Sequence, residues 1–203
     1  MPAPRHLLFL PGITGDPDFW RPVADRLPAD WHKACLAWPG LGAQPADPSV
    51  SSFDDLVALT EAHLPDRPAD IIAQSMGGLI ALRLALKSPH RLSHLVLAAT
   101  SGGIDVTSLG ATDWRPDFLS AYPNTPPWAL QPTPNLEADL AKITLPTLLL
   151  WATDDPISPL KVGQTLQACL PNAHLETLVA HDHGFAHRHP DAIATFILSA
   201  LTK

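Results

Sequence analysis

The stretch that decides the fold is Ile71-Ile72-Ala73-Gln74-Ser75-Met76-Gly77-Gly78-Leu79. Its first residues form a short apolar run typical of a strand, and apolar residues recur at helical spacing after Ser75. A strand that passes into a helix through a tight turn centred on a serine has the geometry of a nucleophile elbow. Small residues are needed on both sides of that serine, and Ala73 and Gly77 supply them. The stretch therefore predicts that Ser75 Oγ projects over the edge of a sheet; an ordinary serine-glycine loop is the alternative.

Apolar runs alternate with helical patterns on both sides of this stretch. The predicted strands are residues 6–10, 33–38, 70–73, 92–99, 146–152 and 174–179. The helical patterns between and after them are residues 19–27, 52–64, 76–87, 159–170 and 190–201. This alternation predicts the α/β class, with about six parallel strands and helices on both faces in three layers. A chain of 203 residues fits a single domain spanning residues 1–203.

The alternation breaks once, over residues 100–141, where no strand pattern occurs. A long irregular segment inside a compact domain is often functional. This one leaves the carboxyl edge of the sheet, where parallel sheets bind their ligands, so we expect a short cap or lid over Ser75. Four aromatic residues in the segment are candidates for binding substrate, or equally for fastening the cap to the core: Trp114, Phe118, Tyr122 and Trp128.

Composition and charge limit the classes of binding partner and the cellular location that we expect. The net charge is −7 and no basic stripe occurs, which argues against nucleic acid. No segment approaches the roughly 20 apolar residues that span a bilayer, and the first residues lack the pattern of a signal peptide. Cys35 and Cys169 lie far apart in apolar segments and are expected to be buried free thiols. We therefore expect a cytoplasmic protein that acts on a small molecule, without a membrane partner, as a monomer or a dimer.

A serine nucleophile needs a base, and the candidates lie after the last predicted strand. His183 is preferred over His181 because Gly184 gives access and Phe185 can anchor the loop. A histidine-rich surface loop is one alternative. Metal binding is another, through four histidines: His181, His183, His187 and His189. Carboxylates and thiols to complete such a site are sparse nearby, so we expect neither a metal nor another cofactor.

The acid that orients the base is expected after the strand at residues 146–152. Asp154 and Asp155 both lie there. Either carboxylate could instead form an Asx turn or cap the helix that begins near Pro159, and one can do each job.

Two backbone amides are needed to hold an oxyanion. Met76, directly after the serine, is expected to supply one. The second is expected from Ile13, because Gly12 and Gly15 let the loop after the first strand bend close to a ligand. A plain turn is the alternative.

Together these segments resemble the α/β-hydrolase superfamily over nearly the whole chain. The order Ser75, Asp155, His183 is the order of that superfamily. The residues that carry the resemblance lie in five segments: residues 10–15, 38–42, 74–78, 149–159 and 183–190. Within the superfamily the chain is similar to small bacterial serine esterases with a reduced cap, including pimeloyl-carrier-protein methyl esterases and menaquinone-pathway synthases.

The resemblance implies that Asp155, four residues before Pro159, is the acid, and that His183 is the base. The chain departs from the family at Pro11, often His there, and at Ala73 and Ala152, usually Gly. It also begins at the family's third strand, which implies six parallel strands in place of eight mixed ones.

The implied activity is hydrolysis of a small carboxylic ester through a Ser75, His183, Asp155 triad and an acyl-enzyme. A thioesterase uses the same machinery. A lyase on the same triad would need a cationic clamp, for which the candidates are Arg83, Arg115 and Arg188. A binding protein with a relic triad is the non-enzymatic alternative.

Overall fold

A single parallel sheet forms the centre of the molecule, which a computed structural model describes over residues 4–202. Its strands are β1 His6–Leu10, β2 His32–Cys35, β3 Ala69–Gln74, β4 Leu92–Ala98, β5 Thr147–Ala152 and β6 Ala173–Leu178. They are hydrogen-bonded in the order β2-β1-β3-β4-β5-β6, and every neighbouring pair is parallel. The α/β class with six parallel strands is thus confirmed.

Helices cover both faces of the sheet. They are α1 Arg21–Ala24, α2 Phe53–Ala62, α3 Met76–Lys87, α4 Arg115–Ala121, α5 Leu160–Cys169, α6 Phe185–Arg188 and α7 Pro190–Leu201. Apolar side chains of α2, α3 and α5 pack in one core cluster, and those of α1, α6 and α7 pack in another. Central strands β3 and β5 are buried along their whole length, because they are covered on both sides.

The strand order places the carboxyl ends of β1 and β3 at a switch point. From β1 the chain moves outward to β2, then crosses back to β3 on the other side of β1. The loops that follow β1 and β3 therefore diverge and leave a crevice, which is where open α/β sheets bind ligands. Those two loops carry Ile13 and Ser75.

The predicted helix at residues 19–27 is wrong in detail. A 3₁₀ turn occupies Pro17–Trp20, and α1 follows it as a separate short helix. Pro17 and Pro22 explain the division, because proline lacks an N–H and is tolerated only in the first turn of a helix. By contrast, α3 and α7 begin and end where the pattern predicts.

The segment between β4 and β5 has no strand, as predicted, but it is more regular than its sequence indicates. It contains α4 and three 3₁₀ turns, Thr107–Leu109, Pro127–Leu130 and Leu140–Lys142. No residue of α4 is fully buried, so this helix lies on the surface of the fold. Abundant prolines hid these elements, since each breaks the periodicity on which a helix prediction depends.

Two further expectations concern the thiols and the membrane. Cys35 and Cys169 are free as predicted, but both are half-buried and not fully buried as expected. Among residues 4–202, none of the helices has the length and apolar character needed to cross a bilayer.

Candidate active site

Ser75 lies at the sharp turn between β3 and α3. Its backbone has φ 52° and ψ −117°, a region that residues other than glycine rarely adopt. The Ser75 amide donates to the Ala98 carbonyl at 2.9 Å, which extends the pairing of β3 with β4 up to the turn. Strain of this kind persists where surrounding structure holds it, and it is concentrated at functional sites. The predicted elbow is therefore present in the structure.

Gly77 makes the elbow sterically feasible. A Cβ built at Gly77 would lie 2.5 Å from the Pro11 carbonyl oxygen and 2.7 Å from that of Leu10. Both contacts are with backbone atoms, which cannot rotate away. The absence of a side chain at this position lets α3 approach the loop after β1.

His183 joins Ser75 to Asp155. Its Nε2 lies 2.8 Å from Ser75 Oγ, and its Nδ1 lies 2.7 Å from Asp155 Oδ2. The Asp155 side chain is completely buried, whereas 19% of the His183 side chain is exposed. The structure thus brings together the serine, the histidine and the acid that the sequence nominates, from the ends of β3, β5 and β6.

Asp155 does both jobs for which Asp154 and Asp155 are candidates. While Oδ2 faces His183, Oδ1 accepts the amides of Ile157 at 2.8 Å and Ser158 at 3.2 Å. The two contacts are therefore not divided between the two aspartates, because the two oxygens of the Asp155 carboxylate point to different partners. A buried Trp151 supports the turn, since its Nε1 donates to the Ser158 carbonyl at 3.0 Å.

Asp154 and His181 form a separate pair on the surface. His181 Nδ1 lies 3.0 Å from Asp154 Oδ2, and the side chains are 77% and 60% exposed. His187 and His189 are also exposed. Among residues 4–202, no group of three or more His, Cys, Asp or Glu side chains is placed to hold a metal ion.

The loop after β1 and the start of α3 offer two amides beside Ser75. The loop turns tightly, with the Gly15 amide donating to the Gly12 carbonyl at 3.1 Å, and Ile13 lies within this turn. Met76 is the first residue of α3, where amides lack intrahelical partners. Within the described part of the chain, the amides of Ile13 and Met76 donate to no other protein group.

Two buried tryptophans fix the backbone that leads into this loop. Trp20 Nε1 donates to the Leu10 carbonyl at 2.9 Å, and Trp38 Nε1 donates to the Pro11 carbonyl at 2.9 Å. These contacts and that of Trp151 were not predicted from the sequence. The sequence did contain a signal for these contacts. Tryptophans occur in or beside segments that carry site residues, and a buried indole N–H requires an acceptor.

Three of the four aromatic residues predicted to bind substrate stack on one another. The ring centroids are 5.5 Å apart for Trp114 and Phe118, and 5.0 Å apart for Phe118 and Tyr122. All three are half-buried. Trp128, the fourth, packs against the larger core cluster, which is the fastening role that the sequence left open.

The three arginines nominated as a cationic clamp are each paired with an acid. Arg83 binds Asp54 at 2.5 Å. The other pairs are Arg115 with Asp113 at 3.0 Å and Arg188 with Asp182 at 3.2 Å.

The hydrogen bonds that join Ser75, His183 and Asp155 are arranged so that the serine hydroxyl can pass its proton to the histidine. An imidazole whose Nδ1–H is held by a buried carboxylate presents Nε2 as an acceptor, so it can take the proton of a serine hydroxyl. Free amides beside that hydroxyl can hold the negative charge that develops when it attacks a carbonyl.

The chain belongs to the alpha/beta hydrolase fold family. That family's model matches residues 5–126, more than half of the chain. A second family model, described as TAP-like protein, matches residues 115–202.

Individual relatives agree with this assignment. The chain is 28% identical over 240 residues to the pimeloyl-acyl-carrier protein methyl ester esterase of Neisseria meningitidis serogroup C, covering 95% of this chain and 91% of that protein. A match to the Aromatoleum aromaticum enzyme of the same name is 37% identical over 98 residues, covering 47% of this chain and 37% of that protein. The structure of MenH from S. aureus superposes with a TM-score of 0.80 at 22% identity, covering 98% of this chain and 93% of that chain. At 22% identity, the similarity to MenH shows a shared fold and nothing more.

Proposed function

We propose that this protein is a serine hydrolase that cleaves a small carboxylic ester through an acyl-enzyme. The observation that carries the proposal is the unbroken chain of hydrogen bonds from Ser75 Oγ through His183 to Asp155. Relatives named as methyl ester esterases support an ester as the substrate.

Acylation begins with attack of Ser75 Oγ on the ester carbonyl carbon, while His183 Nε2 takes the hydroxyl proton. Asp155 keeps the Nδ1–H tautomer and stabilises the imidazolium that forms. The amides of Ile13 and Met76 hold the tetrahedral oxyanion. When the intermediate collapses, the alcohol leaves with the proton from His183, and the acyl group remains on Ser75.

Deacylation repeats these steps with water as the nucleophile. His183 takes a proton from the water, whose oxygen attacks the acyl carbonyl carbon. Collapse of the second tetrahedral intermediate returns the proton to Ser75 Oγ and releases the carboxylic acid. One ester and one water thus yield one acid and one alcohol, without a cofactor or a metal.

We prefer ester hydrolysis to the lyase alternative because the three arginines that could form a cationic clamp are already paired with acids. Arg83, Arg115 and Arg188 are each paired with a carboxylate, so each would have to leave that partner to hold an acidic substrate. Thioester hydrolysis needs the same groups and is the second candidate. The stacked rings of Trp114, Phe118 and Tyr122 favour an apolar acyl or aromatic group in the substrate. The proposed partner is a small-molecule ester.

We also propose a cytoplasmic location. Two free thiols, Cys35 and Cys169, fit a compartment in which cysteines stay reduced.

A panel of p-nitrophenyl esters of increasing acyl length, with matched thioesters, tests the function. We expect the wild-type protein to cleave the oxygen esters faster than the thioesters, and Ser75→Ala to abolish the turnover of both. Ser101→Ala is the matched control and should retain activity. Among the described residues, Ser101 Oγ accepts a hydrogen bond only from the nearby Gly103 amide, in the segment between β4 and β5. Turnover that survives in Ser75→Ala would refute the proposal, and so would a wild-type protein inert toward the whole panel.

A further inference from the structure

Gln74, the residue before Ser75, bridges two loops of the site. Its side chain is buried, and its Nε2 donates to the His183 backbone carbonyl at 3.3 Å. The other end of the carboxamide faces the loop after β1, where a Cβ added to Gly12 would overlap Gln74 Oε1. One side chain thus contacts both the histidine loop and the loop that carries Ile13.

The position of the His183 ring depends on the backbone that Gln74 touches. The ring must keep two short contacts at once, 2.8 Å to Ser75 Oγ and 2.7 Å to Asp155 Oδ2. On one side, the histidine loop is held by the Asp182 carboxylate, which accepts the Gly184 amide at 2.7 Å. On the other side, Gln74 holds the carbonyl of His183 itself.

We infer that Gln74 is a positioning residue, whose carboxamide fixes the backbone of His183 relative to the Ser75 hydroxyl and sets its distance from the Gly12 loop. This inference rests on the proposed function. Gln74 acts through His183 and takes no proton. The strand β3 is central and buried, so Gln74 at its end is well placed to hold the histidine loop. That loop otherwise follows only the edge strand β6.

The test is Gln74→Met, which keeps a side chain of similar length but cannot donate a hydrogen bond. A misplacement of a catalytic group by about 1 Å costs on the order of 100-fold in rate, so we expect kcat for p-nitrophenyl esters to fall by about 10- to 100-fold with KM little changed. Gln74→Glu, of the same shape but without a donor when ionised, should lose activity in the same direction. Gln167→Met is the matched control, because Gln167 is exposed on α5, and it should match wild type.

A spectroscopic readout separates this inference from the proposed function. NMR detects the low-field proton shared by His183 Nδ1 and Asp155 Oδ2 whether or not any ester is cleaved. We expect that resonance in the wild type and in Gln167→Met, and a shifted or broadened resonance in Gln74→Met. An unchanged resonance together with unchanged kcat in Gln74→Met would overturn the inference. A wild-type protein that cleaves no ester but shows the expected change in resonance would refute the function alone.

The contact with Gly12 is tested by a double-mutant cycle. Gly12→Ala should lower kcat more in the wild type than in Gln74→Ala, because the added methyl group displaces the carboxamide only when the carboxamide is there. Equal losses in the two backgrounds would show that Gln74 does not link the two loops.

Discussion

His183→Ala is expected to lower kcat for p-nitrophenyl esters by a factor of about 10⁶, the size of loss seen when the histidine of a serine protease is removed. No other imidazole in the described part of the chain lies within hydrogen-bonding distance of Ser75 Oγ. Without a base, the hydroxyl stays protonated at neutral pH and is a poor nucleophile.

His181→Ala is the matched control, since it removes the same side chain two residues away. His181 is exposed and paired with Asp154, so its loss should leave most of the activity. Steady-state kinetics of the two variants, with circular dichroism to check folding, make the comparison. If His181→Ala were the inactive variant and His183→Ala the active one, the assignment of the base would be wrong.

Asp155→Asn is expected to lower kcat by about 10⁴ while leaving the fold intact. The amide keeps an oxygen that can accept from Ile157 and Ser158, so the turn is retained. Its NH₂ group would then face His183 Nδ1, which favours the tautomer protonated on Nε2. That tautomer cannot accept the Ser75 proton, so the loss falls on the chemical step.

Asp154→Asn is the control for this variant, because Asp154 faces the surface, where its carboxylate contacts His181 and the Thr153 hydroxyl and not His183. We expect it to retain near wild-type kcat. Comparable losses in both variants would mean that Asp155 has no special relation to His183, contrary to the 2.7 Å contact.

The parts of the site that could be predicted from the sequence are those with a local signature. Small residues around Ser75, glycines in the loop after β1, and an aspartate four residues before Pro159 all reflect backbone requirements within a few residues. Alternating apolar runs likewise predict the parallel sheet, because strands buried on both faces must be apolar throughout.

What the sequence did not predict depends on contacts between distant segments. Gln74 and His183 are 109 positions apart, and no local pattern indicates that their loops meet. The two roles of Asp155 follow from where its two oxygens point, which composition does not encode. The helix α4 was not predicted because Pro116 lies in its first turn and Pro123 follows it, although Trp114, Phe118 and Tyr122 recur at helical spacing.

The most direct test of the account is labelling of the folded protein with a fluorophosphonate probe, followed by mass spectrometry of the labelled peptide. We expect a covalent phosphonyl group on Ser75 in the wild type, and little or no label in His183→Ala, because the probe reports a serine activated by its base. Absence of label on Ser75 in the folded wild-type protein, or label on a different serine, would contradict the central claim that Ser75 is the nucleophile.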